Sequence, residues 1–205
     1  MTRSHQVQRS FAIVPAAGRS KRMGQDKLVM PWGEATVIES QLASWRDGGV
    51  DEIVVVMRRD QVALRELCRT AIVVTPTIPP PEMKDSVLAA LDDIRTKFAP
   101  DARDVWLLAP ADMPQLDAQV IRQLLVAHDA ARPTIIVPIR NRKRGHPVLF
   151  PWGCADEVSR LSADEGVNKL LDRFPVRELE CPAASIHGDL DTPEDYRQLK
   201  DGLGE

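Results

Sequence analysis

"FAIVPAAGRSKRMGQDKLVMPWG", residues 11–33, contains the strand and the loop on which the interpretation of the fold depends. Four apolar residues, Phe11–Val14, are typical of a short strand buried in a parallel sheet. Ala16, Ala17 and Gly18 follow, at the carboxyl edge that such a strand predicts. Because these residues have almost no side chain, an anion can approach their backbone amides closely. The stretch therefore predicts an anion-binding loop.

The same loop is rich in cationic side chains. Arg19, Arg22 and Lys27 could neutralise a polyphosphate, the arginines as planar forks and the lysine as a point charge. Two common phosphate motifs do not match: no Lys-Ser/Thr pair follows Gly24, and G-x-G-x-x-G needs three glycines, whereas only Gly18 and Gly24 are present. A solvated basic loop remains the alternative interpretation.

Outward from this stretch, apolar runs that indicate strands alternate with helical patterns. Further strands are predicted at Glu52–Met57, Ala71–Thr75, Val105–Ala109, Thr134–Pro138 and Val148–Phe150. Helices are predicted at Thr36–Trp45, Gln61–Arg69, Asp117–Ala127, Val167–Phe174 and Pro193–Leu199. One more helix is predicted to begin at a cap formed by Asp85-Ser86 and to continue through Ile94. The alternation predicts a single three-layer α/β/α domain over residues 11–205, with a mostly parallel sheet that binds ligands at its carboxyl edge. Residues 1–10 are expected to be a disordered tail.

Composition restricts the possible partners. The 205 residues are 43% apolar and carry a formal net charge of −3, so no overall basic field points to nucleic acid. Cys68, Cys154 and Cys181 lack metal-ligand spacing and are expected to be reduced packing residues. No apolar run approaches the length of a membrane span and no signal peptide is recognisable, so a cytoplasmic protein is expected.

The loop "AAGRSKRMGQDK", residues 16–27, resembles the signature of nucleotidyltransferases that move a nucleoside monophosphate from an NTP onto a phosphate. The fixed positions of that signature are met by Ala16, Ala17, Gly18, Ser20, Arg22, Met23, Gly24 and Lys27. Together with "PADMPQL" (110–116), "RGHPVLF" (144–150) and "DLDTPEDY" (189–196), the chain is similar to the MobA-like NTP transferase superfamily, especially molybdenum cofactor cytidylyltransferase-like proteins. The resemblance implies a Rossmann-like sheet of the nucleotide-diphospho-sugar transferase type.

The resemblance also implies roles for individual residues. Lys27, Arg19 and Asp112 are expected to be catalytic. The nucleotide-binding set is Ala16, Ala17, Gly18, Arg19, Ser20, Arg22, Lys27 and Ser86. Relatives with Ala-Ala-Gly tend to use CTP, so the expected reaction moves CMP from CTP onto a phosphorylated small molecule such as molybdopterin and releases pyrophosphate.

Two motifs suggest a metal site. In "VWLLAPADMP" an apolar strand leads directly into Asp112, so the Asp112 carboxylate is expected beside the anion-binding loop of residues 16–27, called the phosphate loop from here on. A carboxylate in that place is a suitable ligand for Mg²⁺. Capping of the next helix is the alternative for Asp112, although Asp117 is better placed for that cap. In "DLDTPEDY" the resemblance implies a second metal contact, from Asp191 or, as second choice, Asp189. A helix cap at Asp191 or Thr192 is the alternative there.

The acceptor side is expected around Gly145, His146 and Pro147, because the matching G-H-P segment of molybdopterin nucleotidyltransferases lies in the substrate pocket. A lone histidine is more often structural than catalytic, so His146 is expected to bind the acceptor and not to act as a base. Relatives often carry Met-Ser-Ser-Ser where this chain has Met83, Lys84-Asp85 and Ser86. That departure puts the acceptor in doubt.

"HDAARP", residues 128–133, matches a segment of the methylerythritol-phosphate cytidylyltransferases. Here it follows a helical pattern, so His128 and Asp129 are predicted to end a helix away from the site. Two alternative functions remain open: a methylerythritol-phosphate or sugar-phosphate cytidylyltransferase, and a non-catalytic nucleotide-binding protein that helps to mature a molybdoenzyme partner.

Overall fold

The structure, a computed structural model, describes residues 8–19 and 26–201. These residues form an eight-stranded sheet and a two-stranded ribbon. The strands are β1 (Ser10–Pro15), β2 (Pro31–Trp32), β3 (Ala35–Thr36), β4 (Glu52–Val56), β5 (Ile72–Val74), β6 (Val105–Leu108), β7 (Ile135–Arg140), β8 (Lys143–Arg144), β9 (Val148–Pro151) and β10 (Val176–Glu180). The α-helices are α1 (Val37–Asp47), α2 (Val62–Leu67), α3 (Met83–Phe98), α4 (Ala118–Ala127), α5 (Ala155–Val158), α6 (Leu170–Arg173) and α7 (Pro193–Asp201). Short 3-10 helices cover Lys27–Val29, Trp152–Cys154, Val167–Lys169 and Ala184–His187.

The strand order of the large sheet is β10-β7-β9-β6-β1-β4-β5, with β8 paired to β7. β1 is parallel to both of its neighbours, β4 and β6, whereas β9 is antiparallel to β6 and β7. The chain builds β4 and β5 on one side of β1 and then crosses to place β6 on the other side. The carboxyl ends of β1 and β6 therefore flank the switch point at which open α/β sheets bind ligands.

Alternate residues of β1 face opposite layers. Ala12 and Val14 pack in a core with residues of α1, α2 and α4, and Phe11 and Ile13 pack in a second core with residues of α3, α5 and α6. This arrangement confirms the three-layer α/β/α prediction with a mostly parallel sheet. The three cysteines are free and buried, as expected of packing residues.

Helix α3 begins earlier than predicted. The expected cap was Asp85-Ser86, but the N-cap is Glu82 and the helix starts at Met83. The backbone N–H of Glu82 donates to Asp85 Oδ2 at 3.0 Å, so Asp85 caps the helix from its third position, as in a capping box. The prediction of this helix start was wrong by about one turn because the acid that contributes to the cap lies inside the helix.

Three further differences concern the ends of predicted elements. Strand β10 was not predicted, because it lies at the sheet edge, carries the exposed charges Arg177, Glu178 and Glu180, and lacks an apolar run. The helix predicted over Val167–Phe174 is a 3-10 turn followed by α6. Ser10 belongs to β1 and donates through its backbone N–H to Asp51 Oδ2 at 2.7 Å, so it is part of the sheet and not of the expected tail.

Candidate active site

Lys27 and Asp112 meet at the carboxyl edge of the sheet, in the crevice between β1 and β6. The ammonium group of Lys27 contacts Asp112 Oδ2, donates to the Leu190 carbonyl at 2.6 Å and lies 3.6 Å from Asp191 Oδ1. The side chains of Lys27 and Asp112 are only 15% and 13% exposed. Three of the four sequence motifs therefore converge on one ammonium group.

The local fold holds Lys27 in this position. Asp26 caps the 3-10 helix Lys27–Val29 by accepting from the Leu28 N–H at 3.3 Å, and Leu28 is buried in the core. The Gln61 side-chain amide donates to Asp26 Oδ2 at 3.3 Å. Because both sides of Lys27 are anchored, its side chain is directed into the crevice.

Asp112 is a carboxylate in a desolvated environment. Burial raises its pKa, the hydrogen bond and charge of Lys27 oppose that rise, and the nearby charge of Asp189 adds to it. Its Oδ1 is buried and has no hydrogen-bond partner among the described residues. A buried acceptor without a partner is costly in a protein alone, so this oxygen is available to a ligand.

The segment 189–191 is fixed by its middle residue. Leu190 is fully buried, and its N–H donates to the carbonyl of Asp112 at 3.0 Å. Asp189 and Asp191 are exposed on either side of it, with the Asp191 side chain 52% accessible. The cap of α7 is formed by Thr192 and Asp195: the Thr192 N–H donates to Asp195 Oδ2 at 2.7 Å, and the Asp195 N–H donates to Thr192 Oγ1 at 3.2 Å. Thr192 therefore takes the capping role, and Asp191 contributes only a backbone N–H, to Asp195 Oδ2 at 3.2 Å.

The start of the phosphate loop is held from β4 and the residues that follow it. Arg58 Nη1 donates to the carbonyls of Ala17 and Gly18, each at 2.6 Å, and the Gln61 amide donates to the Ala16 carbonyl at 3.1 Å. These hydrogen bonds fix the backbone of residues 16–18. Among residues 8–19 and 26–201, a Cβ at Gly18 would have no neighbour within 4 Å, so the described part of the protein leaves open the space beside it.

Sequence reasoning did not find Arg58 and Gln61. A signal was present, since β4 is a buried strand parallel to β1, and residues just after it must lie beside the loop that follows β1. Ser20 and Arg22, expected in the same loop, lie outside the described residues.

A first cavity of about 500 Å³ opens beside the loop. It is lined by Gly18, Arg19 and Arg58 on one side and by the proline-rich segment 79–81 opposite. The amino-terminal end of α3 completes it with Ser86, which is buried. The structure thus brings Ala17, Gly18, Arg19 and Ser86 of the predicted nucleotide-binding set to one cavity, whereas Ala16 and Lys27 are not among its described lining residues.

A second cavity, of about 720 Å³, lies on the other side of the amino-terminal end of α3. Gly145 and His146 line it, whereas Pro147 is buried and is not among the described lining residues. A Cβ at Gly145 would lie 2.5 Å from the Ile186 carbonyl oxygen, so the turn requires glycine. Glu82 and Met83 line both cavities and form the ridge between them.

His146 is positioned as a neutral imidazole. Burial lowers its pKa, and a hydrogen bond with the Leu108 backbone and the charges of Asp189 and Asp112 oppose this only in part. The Nδ1 atom is buried without a hydrogen-bond partner among the described residues. The group can therefore offer a neutral donor or acceptor to a molecule in the second cavity.

Asp129 lies away from these cavities. Helix α4 ends at Ala127 with His128 as its C-cap, which confirms the prediction for the HDAARP segment. Asp129 pairs with Arg132 at 3.1 Å in the connection that leads into β7. Because β7 is parallel to β6, that connection lies at the amino edge of the sheet, opposite Asp112.

The carboxylates around Lys27 were tested as donors for a hard cation. No group of three or more histidine, cysteine or acidic residues in metal-binding proximity occurs in residues 8–19 and 26–201. Asp112 and Asp191 supply two carboxylates, and Asp112 Oδ1 has no hydrogen-bond partner among the described residues. One or two carboxylates completed by substrate phosphates are a donor set that Mg²⁺ accepts, so the residues present fit such an ion.

Comparisons with known proteins identify the family of this chain. Residues 12–179 match the family described as the MobA-like NTP transferase domain. The chain belongs to this family. It is 26% identical over 195 residues to the molybdenum cofactor cytidylyltransferase of Escherichia coli K12, a match that covers 92% of this chain and 94% of that protein. This family member is therefore a nucleotidyltransferase.

Two other similar proteins are informative. The molybdenum cofactor guanylyltransferase of Xanthomonas euvesicatoria pv. vesicatoria is 33% identical over 113 residues, which cover 55% of this chain and 52% of that protein. The crystal structure of Rv0371c in complex with manganese, from Mycobacterium tuberculosis H37Rv, has a TM-score of 0.76 at 28% identity and covers 95% of this chain and 99% of that chain.

Among the described helices, none is long and apolar enough to cross a membrane.

Proposed function

We propose that this MobA-like nucleotidyltransferase moves CMP from CTP onto the phosphate of molybdopterin or a closely similar small molecule and releases pyrophosphate. The observation that carries the proposal is the convergence of the phosphate loop, Asp112 and Asp191 on Lys27, in a chain with two cavities that meet at Glu82 and Met83. One cavity can hold a nucleotide and the other its acceptor, which is the arrangement that transfer between two bound molecules requires.

In the proposed assignment the first cavity binds the nucleotide. The backbone of Gly18 is open to a phosphate, Arg19 supplies charge, and the rigid proline segment 79–81 faces a base or ribose. Preference for CTP is supported by Ala16-Ala17-Gly18 and by similarity to the cytidylyltransferase of Escherichia coli K12. Similarity to a guanylyltransferase keeps GTP as the competing donor.

Lys27 lies where negative charge develops when the α-phosphorus is attacked and pyrophosphate departs. A fixed cation in a site shielded from water stabilises that charge more effectively than solvent does. His146, neutral and directed into the second cavity, is assigned to hold the acceptor, whose phosphate needs no general base at neutral pH.

The proposal includes Mg²⁺, which Asp112 and Asp191 would hold. When bound, the ion neutralises phosphate charge and orients the reacting phosphates. The manganese in the complex of the Mycobacterium tuberculosis relative supports a divalent cation, and the unpartnered Asp112 Oδ1 supports its place.

The proposed function is tested by pyrophosphate release with molybdopterin as acceptor and each of CTP, GTP, UTP and ATP, with and without Mg²⁺. CTP with Mg²⁺ is expected to give the highest kcat/KM. Methylerythritol phosphate in place of molybdopterin serves as the competing acceptor. Faster release with GTP would contradict the cytidylyl assignment, and faster release with methylerythritol phosphate would contradict the acceptor assignment.

A further inference from the structure

Lys84 is a buried cation in an unfavourable place. It is the second residue of α3 and is only 8% exposed. A positive charge in the first helical turn opposes the helix dipole, and a buried ammonium group loses hydration. Both effects cost stability, so the contacts that Lys84 makes must compensate for them.

In the described part of the chain, the Lys84 ammonium group donates hydrogen bonds to one loop. Lys84 Nζ donates to the carbonyls of Ser162 and Ala163, the latter at 3.3 Å. The loop, residues 162–166, connects α5 to the 3-10 helix at Val167, and its residues 163–166 line the second cavity. Lys84 therefore connects the wall of the second cavity to the helix whose first turn separates the two cavities.

The loop also has internal order. The Ser162 N–H donates to Glu165 Oε2 at 2.9 Å, and Glu165 pairs with Arg173 at 2.7 Å. These bonds fix the shape of the loop, whereas Lys84 supplies hydrogen bonds that join it to α3. The pair with Arg173 joins the loop to α6, so removal of the Lys84 hydrogen bonds would leave the loop able to shift away from α3.

We propose that Lys84 is a positioning residue that holds the 162–166 loop against the second cavity and thereby sets the affinity for the acceptor. This inference rests on the proposed function, because it assigns the second cavity to the acceptor. This role explains why a lysine occupies a position at which related proteins often have serine. Lys84 itself also lines the second cavity, and its ammonium group is assigned to hold the loop and not to contact the reacting phosphates.

The test uses the full chain with Lys84→Met, which keeps the apolar stem and removes the donors. Lys97→Met is the matched control, since Lys97 is on the same helix, is half exposed and pairs with Asp93 instead of the loop. Hydrogen exchange of residues 159–168 is measured without ligand, and KM and kcat are measured for molybdopterin and CTP. Lys84→Gln, which keeps a polar side chain, serves if Lys84→Met does not fold.

Lys84→Met is expected to speed exchange in the loop and to raise the KM for molybdopterin about tenfold, which corresponds to about 1.4 kcal/mol. The kcat and the KM for CTP are expected to stay within about twofold, and Lys97→Met is expected to match the wild type. Unchanged exchange would overturn the positioning role, and faster exchange with an unchanged acceptor KM would overturn its link to the acceptor. Hydrogen exchange can be measured without enzymatic turnover. Failure of the proposed function would therefore be recognised separately, because the wild-type protein would then release no pyrophosphate.

Discussion

The Lys27 ammonium group lies 3.6 Å from Asp191 Oδ1, although the two residues belong to the first and last motifs of the chain. The contact exists because Leu190, between the two exposed aspartates, is buried and donates its N–H to the Asp112 carbonyl. A buried backbone anchor thus brings a carboxyl-terminal segment to the phosphate loop. The placement of negative charge beside Lys27 therefore depends on the Leu190 backbone hydrogen bond as much as on the acidic side chains.

Lys27→Ala is expected to lower kcat by about 10²–10³-fold, because one fixed electrostatic stabiliser is lost. The measurement is pyrophosphate release at saturating CTP and acceptor, with circular dichroism to establish folding. Lys97→Ala, at the far end of α3, is the control and is expected to leave kcat unchanged. If Lys27→Ala retains the wild-type kcat, the alternative interpretation of the loop as a solvated basic segment is favoured.

Arg58→Ala is expected to weaken CTP binding about tenfold or more. Arg58 is 13% exposed and holds two loop carbonyls, and hydrogen bonds from a charged donor contribute about 1.5–3 kcal/mol each. Arg59→Ala removes a neighbouring, exposed arginine and is expected to leave affinity within about twofold. Isothermal titration with CTP and Mg²⁺ measures both, and equal affinities in the two variants would contradict the role of Arg58.

Gly145→Ala is expected to lower the free energy of unfolding by about 1–3 kcal/mol, because the new Cβ would lie 2.5 Å from a backbone oxygen of Ile186. Gly153→Ala is the matched control, since a Cβ there meets nothing within 4 Å, and a change within about 0.5 kcal/mol is expected. Urea unfolding followed by circular dichroism measures the difference. Equal stabilities would show that the turn does not need glycine.

A pH dependence follows from His146. Burial lowers its pKa in the folded protein, so folding favours the neutral form, and the resulting stability is present above the unfolded pKa of about 6.5. That stability is lost as pH falls through the lower, folded-state pKa. His146→Gln is therefore expected to lose less unfolding free energy than the wild type between pH 7.5 and 5. Equal losses of unfolding free energy in the wild type and in His146→Gln would contradict a buried, neutral imidazole at His146.

The alternation of apolar runs and helical patterns was enough to predict the layers, because β1, β4 and β6 are buried on both faces and carry continuous apolar residues. It did not reveal β10, whose one open edge and exposed Arg177 and Glu178 dilute the pattern. Local sequence also does not specify the antiparallel direction of β9, which depends on its pairing with β6 and β7.

Asp112 could be placed from the sequence because a strand directly precedes it. Arg58 and Lys84 could not be assigned roles in the same way, since their importance lies in hydrogen bonds to backbone carbonyls of distant loops. Carbonyl partners leave no residue-type signal in a sequence. The position of Arg58 just after β4 predicts that it lies beside the loop, but not which carbonyls it holds.

In the proposed function, Asp112 lies at the reactive edge of the sheet and Asp129 at the opposite edge. The most direct measurement is Mg²⁺-dependent pyrophosphate release by Asp112→Asn and Asp129→Asn, with CTP and molybdopterin. Each substitution keeps the shape of the side chain and removes its charge. The account predicts that Asp112→Asn abolishes turnover while the protein stays folded. Asp129 is exposed and pairs only locally with Arg132, so its substitution is expected to leave turnover close to that of the wild type. An inactive Asp129→Asn beside an active Asp112→Asn would contradict the account and favour a methylerythritol-type enzyme.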